Sequence, residues 1–150
     1  MICSDKVTVV FFISGTSLFT ATGRVTILGT RNIRFPDVVV NEGGDYNAFT
    51  GVFTCRIPGQ YWISSTITKV YHDNVDFVHC FVVINGIGKL QMFTNPVIDD
   101  TAVYSMSASA GFHLRLGDRV QVGLCGNPDH IENNVDTFFS GILIKPDQHS

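Results

Sequence analysis

Residues 35–61, FPDVVVNEGGDYNAFTGVFTCRIPGQY, are the stretch of sequence that decides the fold of this chain. Short runs of β-branched and aromatic residues, such as the one around Phe53, alternate there with clusters of Asn, Gly, Asp and Pro. Pro58 and Gly59 end one run, and Gly59 is expected to adopt dihedral angles closed to other residues just before Tyr61 begins the next run. This alternation predicts β-strands separated by tight turns.

The same pattern continues outward over the whole chain, where helical periodicity is hard to find. Period-two runs between turn residues are typical of a sandwich or a barrel. We therefore predict an all-β protein of two packed sheets. The ten predicted strands cover residues 7–13, 23–28, 38–41, 51–56, 61–70, 77–84, 89–93, 102–116, 119–124 and 137–145.

Two further junctions carry residues typical of tight turns, and two longer segments are predicted to be open loops. Asn85-Gly86 supplies the positive φ values of a tight hairpin, and residues 116–119, LGDR, predict a second hairpin by the same logic. Residues 93–101 and 126–136 combine Asn-Pro with acidic and amide residues and show no periodicity. Such loops lie at the surface, where a binding function is expected.

Composition limits the classes of protein that this chain can be. Its 150 residues are 45% hydrophobic and 15% charged, with twelve Phe and a formal net charge of −3. One domain over residues 1–150 is expected at this length. Disorder is excluded, and the weakly acidic balance argues against nucleic-acid binding. Because charge is scarce, we expect part of the surface to be covered by self-association.

Neither a membrane span nor a leader is evident in the sequence, and the cysteines leave their pairing open. The longest apolar run, residues 7–13, is too short for a membrane helix, and no small-residue cleavage site follows it, so either a leader has been removed or secretion takes another route.

Four cysteines allow three disulfide pairings if all are oxidised, and none is selected by spacing. For Cys55 and Cys80, which lie in apolar runs, we favour reduced, buried thiols; Cys3 and Cys125 stay open.

No motif for catalysis is present. The chain lacks a G-x-S-x-G elbow, a Walker loop, an H-E-x-x-H pair and a G-x-G-x-x-G loop. The five histidines are too scattered for a metal set, and His79 and His113 are expected to be ordinary half-buried strand residues. We therefore expect a protein that is not an enzyme and that needs no cofactor.

The spacing within residues 35–61 resembles the signature of the complement C1q globular-head domain family. Downstream, LRLGDRVQV resembles the penultimate hairpin of that family and FFSGILIKPD its closing strand, so the resemblance covers nearly the whole chain. Ile63 and Ser65 stand where the signature continues with aromatic residues, so packing there must use smaller side chains. The matching positions are Phe35, Asn41, Tyr46, Phe53, Gly59, Tyr61, Phe139 and Gly141, and each is interpreted as structural, with Asn41 as a local cap.

The resemblance implies a ten-stranded jelly roll of the type shared with tumour necrosis factor, assembled as a homotrimer with both termini at its base. A charge-poor, Phe-rich surface can be buried on a threefold axis. Strand alternation is expected to place about half of the candidate aromatic residues in the monomer core instead of the interface, and it does not select which half. The aromatic candidates for that interface are Tyr61, Tyr104, Phe138 and Phe139.

Members of this family act by binding, and the absence of a collagen-like run makes this chain similar to the stand-alone heads of invertebrates. The leading interpretation is a secreted, lectin-like pattern-recognition protein of innate immunity, whose trimer binds glycans or microbial polysaccharides with avidity. No membrane insertion is expected. The alternatives are a cytokine-like or adipokine-like trimeric ligand for a protein receptor, and a structural or storage trimer.

Two loops carry the side chains with which proteins read sugar hydroxyls. The first set comprises Asp129, His130, Glu132, Asn133, Asn134 and Asp136, and the second comprises Tyr71, His72, Asp73 and Asn74. A solvated loop without a ligand explains either set equally well.

Calcium is the one metal that the resemblance suggests, because some family members hold it near the top of the trimer. Asp99 and Asp100 are the nearby acids in this sequence. Threefold symmetry would gather three copies of either residue, which is a charge suited to a hard cation with oxygen ligands. The alternative is that these carboxylates simply point into solvent.

Overall fold

The computed structural model describes residues 15–70, 77–93 and 104–148. No helix in these three ranges is long and apolar enough to cross a membrane. The strands there are β1 (Leu18–Thr22), β2 (Val25–Thr26), β3 (Ile33–Arg34), β4 (Asp37–Glu42), β5 (Tyr46–Asn47), β6 (Val52–Thr54), β7 (Gly59–Lys69), β8 (His79–Ile84), β9 (Ile87–Phe93), β10 (Tyr104–Leu114), β11 (Arg119–Gly126) and β12 (Phe138–Pro146).

Two antiparallel sheets confirm the predicted sandwich. The first has five strands in the order β10-β7-β12-β1-β4, and the second has seven, with β11 pairing to β3, β6 and β8 and with β9 at the edge beyond β8. The described residues form twelve strands rather than ten. Strands β1, β3 and β5 were not predicted, whereas the strand predicted at residues 7–13 lies outside the described residues.

Strand β7 illustrates how alternation separates the two layers. Its side chains alternate between buried and exposed, with Tyr61, Ile63 and Ile67 inside and Trp62 outside. Because successive side chains of a strand point to opposite faces, one apolar set faces the core. Ser65 is buried as well and donates its hydroxyl to the Phe138 carbonyl at 2.8 Å, so small side chains do replace aromatic ones here.

The centre of the core is a cluster of aromatic rings. Phe19 stacks on Tyr46 at a centroid distance of 5.0 Å and meets Phe139 edge-on at 4.8 Å. Phe53 lies 5.1 Å from Phe19 on its other side. The Tyr46 hydroxyl donates to the Phe35 carbonyl at 2.9 Å, and burial raises the pKa of Tyr46 to about 12. These aromatic signature positions are therefore structural, as predicted.

Asn41 holds the connection between β4 and β5. Its amide nitrogen donates to the Tyr46 carbonyl at 2.8 Å, and its amide oxygen accepts the Tyr46 N–H at 3.2 Å. One side chain thus satisfies two backbone groups of the turn, which confirms its role as a local cap.

Of the two predicted hairpins, one is confirmed and one is wrong. Asn85 and Gly86, with φ of 50° and 83°, join the paired strands β8 and β9. Residues 116–119 do form a turn, in which the Asp118 N–H bonds the Arg115 carbonyl at 3.0 Å. The strands on either side do not pair, because β10 belongs to the five-stranded sheet and β11 to the other. The turn is therefore a crossing between layers.

Gly59 is required for a different reason from the predicted one. It is not among the glycines with positive φ. A Cβ at this position would lie 2.8 Å from the Pro146 Cα, so the close approach of β7 and β12 excludes a side chain. Gly141 follows the same rule, because a Cβ there would lie 2.6 Å from the Phe19 ring.

The cysteines of the described residues divide into one free thiol and one disulfide. Cys55 is free and buried, its thiol contacts the Ile57 carbonyl at 3.3 Å, and burial raises its pKa. Cys80 is bonded to Cys125, so the interpretation of Cys80 as a reduced thiol is wrong. The reason is the register: β8 and β11 are neighbours, and their inward positions bring the two sulfur atoms together.

Candidate functional site

The segment between β11 and β12 holds all six residues of the first predicted ligand set. Asn127, with φ of 56°, turns the chain out of β11 into a short 3-10 helix, Pro128–His130. Ile131 is extended and buried, and it forms an isolated bridge with Lys69 at the end of β7. We call residues 127–136 the β11–β12 loop.

Arg24 holds this loop from the side of β2. Its backbone N–H donates to the Asn133 side-chain oxygen at 2.8 Å, and its guanidinium Nε donates to the Ile131 carbonyl at 2.9 Å. The same guanidinium lies 3.9 Å from the Asp129 carboxylate. Arg24 is not among the residues predicted from the sequence, because it is more than 100 residues earlier in the chain.

The end of β7 holds the loop from the other side. The Glu132 N–H donates to the Thr68 carbonyl at 2.7 Å, and the Thr68 hydroxyl donates to the Asp136 carbonyl at 3.0 Å. The Val70 N–H donates to the His130 carbonyl at 2.9 Å. The loop backbone is therefore bound to regular structure along most of its length.

Part of the predicted polar set is used within the loop itself. The Asn134 amide donates to Glu132 and accepts the Asp136 N–H, and both Asn134 and Glu132 are half-buried. Asp129 and Asp136 are exposed, and 80% of the Asp129 side chain is accessible to solvent. The surface that a ligand would meet is thus formed by two carboxylates on a fixed frame, with Asn133 exposed between them.

The remaining predicted site residues fall outside the described parts of the chain. Tyr71, His72, Asp73 and Asn74 of the second ligand set do so, and so do the candidate calcium ligands Asp99 and Asp100. Within residues 15–70, 77–93 and 104–148, no group of three or more His, Cys, Asp or Glu side chains is placed to hold a metal ion. Calcium binding therefore stays a prediction.

The two strand histidines differ in their surroundings. His79 is half-buried as predicted; it stacks on Phe77 with ring centroids 5.6 Å apart, and burial lowers its pKa. His113 is exposed instead, and its Nε2 contacts the Asp147 carboxylate at 2.9 Å.

A second surface, the outer face of the five-stranded sheet, is free of charge over three adjacent rows of residues on β10, β7, β12 and β1, while the edge strand β4 continues two of these rows with the exposed acids Asp37 and Glu42. Trp62 and Ile142 are 46% and 43% exposed there. Hydroxyl pairs run across the face, with Thr66 and Ser107 oxygens 2.7 Å apart and Thr20 and Ser140 oxygens 2.9 Å apart. The rows in register are Ser107-Thr66-Phe138-Thr22, Ser109-Ser64-Ser140-Thr20 and Gly111-Trp62-Ile142-Leu18.

The aromatic candidates for a subunit interface separate on this sheet. Tyr61 and Phe139 are fully buried and point into the core by strand alternation, so two of the four candidates belong to the monomer core, as predicted for about half of them. Phe138 lies in the outer rows and is half-buried. Tyr104 is half-buried at the start of β10. Trp62, which was not predicted, is the most exposed aromatic residue of the three rows.

Comparison with protein-family models gives a match to the C1q domain over residues 18–144. This confirms the resemblance that the signature spacing indicated. A complement C1q subcomponent from Rattus norvegicus is 30% identical over 141 residues, which are 87% of this chain. Complement C1q tumor necrosis factor-related protein 2 from Homo sapiens is 34% identical over 126 residues, 77% of this chain. The chain spans 51% and 40% of those two proteins, respectively.

Solved structures show the same fold at lower sequence identity. The globular domain of zebrafish complement 1qA protein superimposes with a TM-score of 0.68 at 17% identity, covering 87% of this chain and 99% of that one. Murine APRIL at pH 8.5 superimposes with a TM-score of 0.63 at 14% identity, covering 86% and 99%. The jelly-roll prediction is confirmed by these neighbours and by the two sheets.

Proposed function

Because the chain belongs to the C1q domain family, we propose that it is a secreted recognition protein of innate immunity that binds glycans or microbial polysaccharides as a homotrimer. The family consists of non-enzymatic ligand and recognition domains, which confirms that the chain is not an enzyme. The relatives extend beyond the matched region, so everything finer than family membership is part of the proposal.

Assembly is supported by the outer face of the five-stranded sheet. Across four strands, three rows carry hydroxyl and apolar side chains without a charge, although Lys, Glu, Arg and Asp are the residues most often found at a surface that faces water. Depletion of charge with enrichment of aromatic residues is typical of interface cores. We propose that this face, which includes the exposed Trp62, packs at the threefold axis.

Glycan binding is attributed to the β11–β12 loop, and the observation that supports it is the hydrogen-bonded loop backbone from which the exposed side chains of Asp129 and Asp136 project. Carboxylates accept hydrogen bonds from sugar hydroxyls, and a frame held by Arg24 and Thr68 reduces the entropy lost on binding. Three copies on one trimer would convert weak contacts into avidity.

Secretion is supported by the bond between Cys80 and Cys125. Disulfides form and persist in oxidising compartments outside the cytosol.

Calcium binding by Asp99 and Asp100 is part of the same proposal. It rests on the family resemblance and on the preference of calcium for carboxylate oxygens. A chelator separates this element of the proposal from the rest, since only metal-dependent binding would respond to it.

The decisive experiment is a glycan array with the purified protein, with and without chelator. Binding to acidic, mannosylated or sialylated glycans is expected, and it should fall at least about tenfold when Asp129→Asn and Asp136→Asn are combined, because two charge-assisted hydrogen bonds are weakened. Glu42→Gln, an exposed change on β4, is the control. Silence across all sugars would remove the lectin function.

A second candidate function is that of a trimeric ligand for a protein receptor. It is favoured by the similarity to the human protein named complement C1q tumor necrosis factor-related protein 2. Saturable binding to cells that survives enzymatic removal of surface glycans would support this alternative. A structural or storage trimer would show neither cell binding nor sugar binding.

A further inference from the structure

A groove lies between the edge strand β9 of one sheet and the edge strand β10 of the other. Its volume is about 370 Å³. Strand β9 and the β8–β9 turn form one wall, and β10 with the turn after it forms the other. The lining residues are Ile84, Asn85, Ile87, Lys89, Phe112, His113, Arg115 and Asp118.

Two cations in this groove form no salt bridge among the described residues. Lys89 and Arg115 are exposed, and neither pairs with an acidic side chain in residues 15–70, 77–93 or 104–148. The nearby Asp118 carboxylate accepts the Arg115 backbone N–H at 2.8 Å and the Asn85 amide at 2.9 Å. His113 is directed to Asp147. The Arg115 charge helps to lower the pKa of Asp118, but Arg115 forms no salt bridge with that carboxylate, so both cationic heads can still meet an anion.

An apolar surface adjoins these cations. Ile87 is 61% exposed and Phe112 is half-buried beside it in the lining. An aromatic ring and an aliphatic side chain can contact the C–H face of a sugar. The groove thus combines anion-binding and sugar-binding chemistry.

We propose that the groove between β9 and β10 binds a sugar that carries a phosphate or sulfate ester, with the anion between Lys89 and Arg115 and the ring against Ile87 and Phe112. This inference rests on the proposed glycan-binding function and names a class of sugar for it. The lining carries two cations, Lys89 and Arg115, against one carboxylate, Asp118, so its charge favours an anion, and the volume falls in the range of sites for small ligands. Because the groove is concave, it suits a single sugar better than the flat surface of a lipid bilayer.

The test is a titration of the isotope-labelled full chain, followed by backbone amide chemical shifts. The probes are glucose 6-phosphate, glucose 6-sulfate, glucose and inorganic phosphate. Saturable shifts at Lys89, Phe112 and Arg115 are expected with both sugar esters, about tenfold weaker binding with inorganic phosphate, and no saturation with glucose. Phosphate that binds as tightly as its sugar ester would overturn the inference.

Substitutions locate the site. Lys89→Ser and Arg115→Ser should each weaken glucose 6-phosphate binding about fivefold, because loss of one partly exposed charge contact changes an affinity by about that factor. Arg31→Ser, an exposed position in the β2–β3 turn, removes the same charge elsewhere and should leave the affinity unchanged. An equal effect of all three substitutions would reveal a non-specific electrostatic contribution and would contradict the groove.

Two further measurements separate this inference from the proposed function. Glycan binding on the array that persists unchanged in Lys89→Ser and Arg115→Ser would overturn the groove and leave the lectin function intact. If glucose 6-phosphate binds in the groove while no glycan on the array is bound, the result would support the groove as a binding site but not the lectin function. Tighter, Lys89-dependent binding to phosphatidylcholine vesicles containing phosphatidylserine would overturn the sugar ester as the ligand.

Discussion

The inner and outer faces of the five-stranded sheet are built by the same strands and yet have opposite chemistry. The inner face carries Phe19, Tyr61 and Phe139, all fully buried in the monomer. The outer face carries Ser, Thr, Trp62 and Ile142, which remain accessible in the monomer. On these strands the three rows of the outer face therefore lack charge without being a hydrophobic core. The inner face stabilises one subunit, and the outer face is suited to a second copy.

The largest effect is expected on the inner face. Phe19→Ala should lower the free energy of unfolding by about 3–5 kcal/mol, because the ring contacts Tyr46, Phe53 and Phe139 and would leave a cavity. Urea denaturation at fixed protein concentration measures the change. Leu18→Ala, on the opposite face of the same strand, is the matched control and should change assembly more than subunit stability. Equal losses of subunit stability in Phe19→Ala and Leu18→Ala would contradict the proposed difference between the two faces.

On the outer face, Trp62→Lys should dissociate the oligomer while each subunit stays folded. A lysine at this position would be buried by the partner subunit, and its neighbours in register, Gly111 and Ile142, offer no counter-ion. Sedimentation velocity with circular dichroism measures both properties. The control is Gln91→Lys, which adds the same charge at an exposed position of β9 in the other sheet. A folded trimer of the Trp62 variant would place the interface elsewhere.

A smaller effect is expected at the turn that joins the two sheets. Hydrogen bonds from the Arg115 N–H and the Asn85 amide lower the pKa of Asp118. A depressed carboxyl pKa contributes stability above its unfolded value, near 4, and that contribution is lost as the pH falls through the folded value. Asp118→Asn should therefore cost about 1 kcal/mol at pH 7 and progressively less towards pH 3.

Thermal unfolding of both proteins across this range measures that difference. A cost that stays constant with pH would show that the Asp118 charge does not contribute to the turn.

The smallest effect is expected from the hydroxyl pairs of the outer face. Thr66→Val removes the 2.7 Å hydrogen bond to Ser107 and should cost about 0.5–1 kcal/mol in a monomeric Trp62→Lys background. In the assembled protein the cost should be larger if the face is buried there, because the Ser107 hydroxyl would be left unpaired away from water. An identical cost in both backgrounds would argue that this row stays solvated.

The core was predictable from sequence because it depends on period-two alternation and on aromatic spacing. The signature residues Phe35, Tyr46 and Phe53 meet in one cluster as expected. Strands such as Ile33–Arg34 were not predictable, since two residues have no period and owe their pairing to a distant strand. The pairing of Cys80 with Cys125 likewise depends on the register between strands.

The candidate sites were predictable to a lesser degree. The β11–β12 loop was located by its composition, but Arg24 and Thr68, which hold it through both backbone and side-chain hydrogen bonds, are distant in sequence and belong to no local motif. Lys89 and Arg115 come together because their strands are edges of different sheets. The proximity of Lys89 and Arg115 is visible only in the folded sandwich, where the two sheet edges meet.

The mode of attachment of the β11–β12 loop has a consequence for how such domains diversify. Its position is set by main-chain carbonyls bonded to Arg24 and Val70 and by the Thr68 hydroxyl, and its stem follows a cysteine bonded to β8. The exposed Asp129 adds only surface contacts, since its carboxylate accepts the Thr26 hydroxyl at 3.2 Å and lies 3.9 Å from the Arg24 guanidinium, and Val135 is 74% exposed. Replacing those outward residues should alter what is recognised without disturbing the scaffold, so new specificities can arise by substitution at the tip while the domain keeps folding as before.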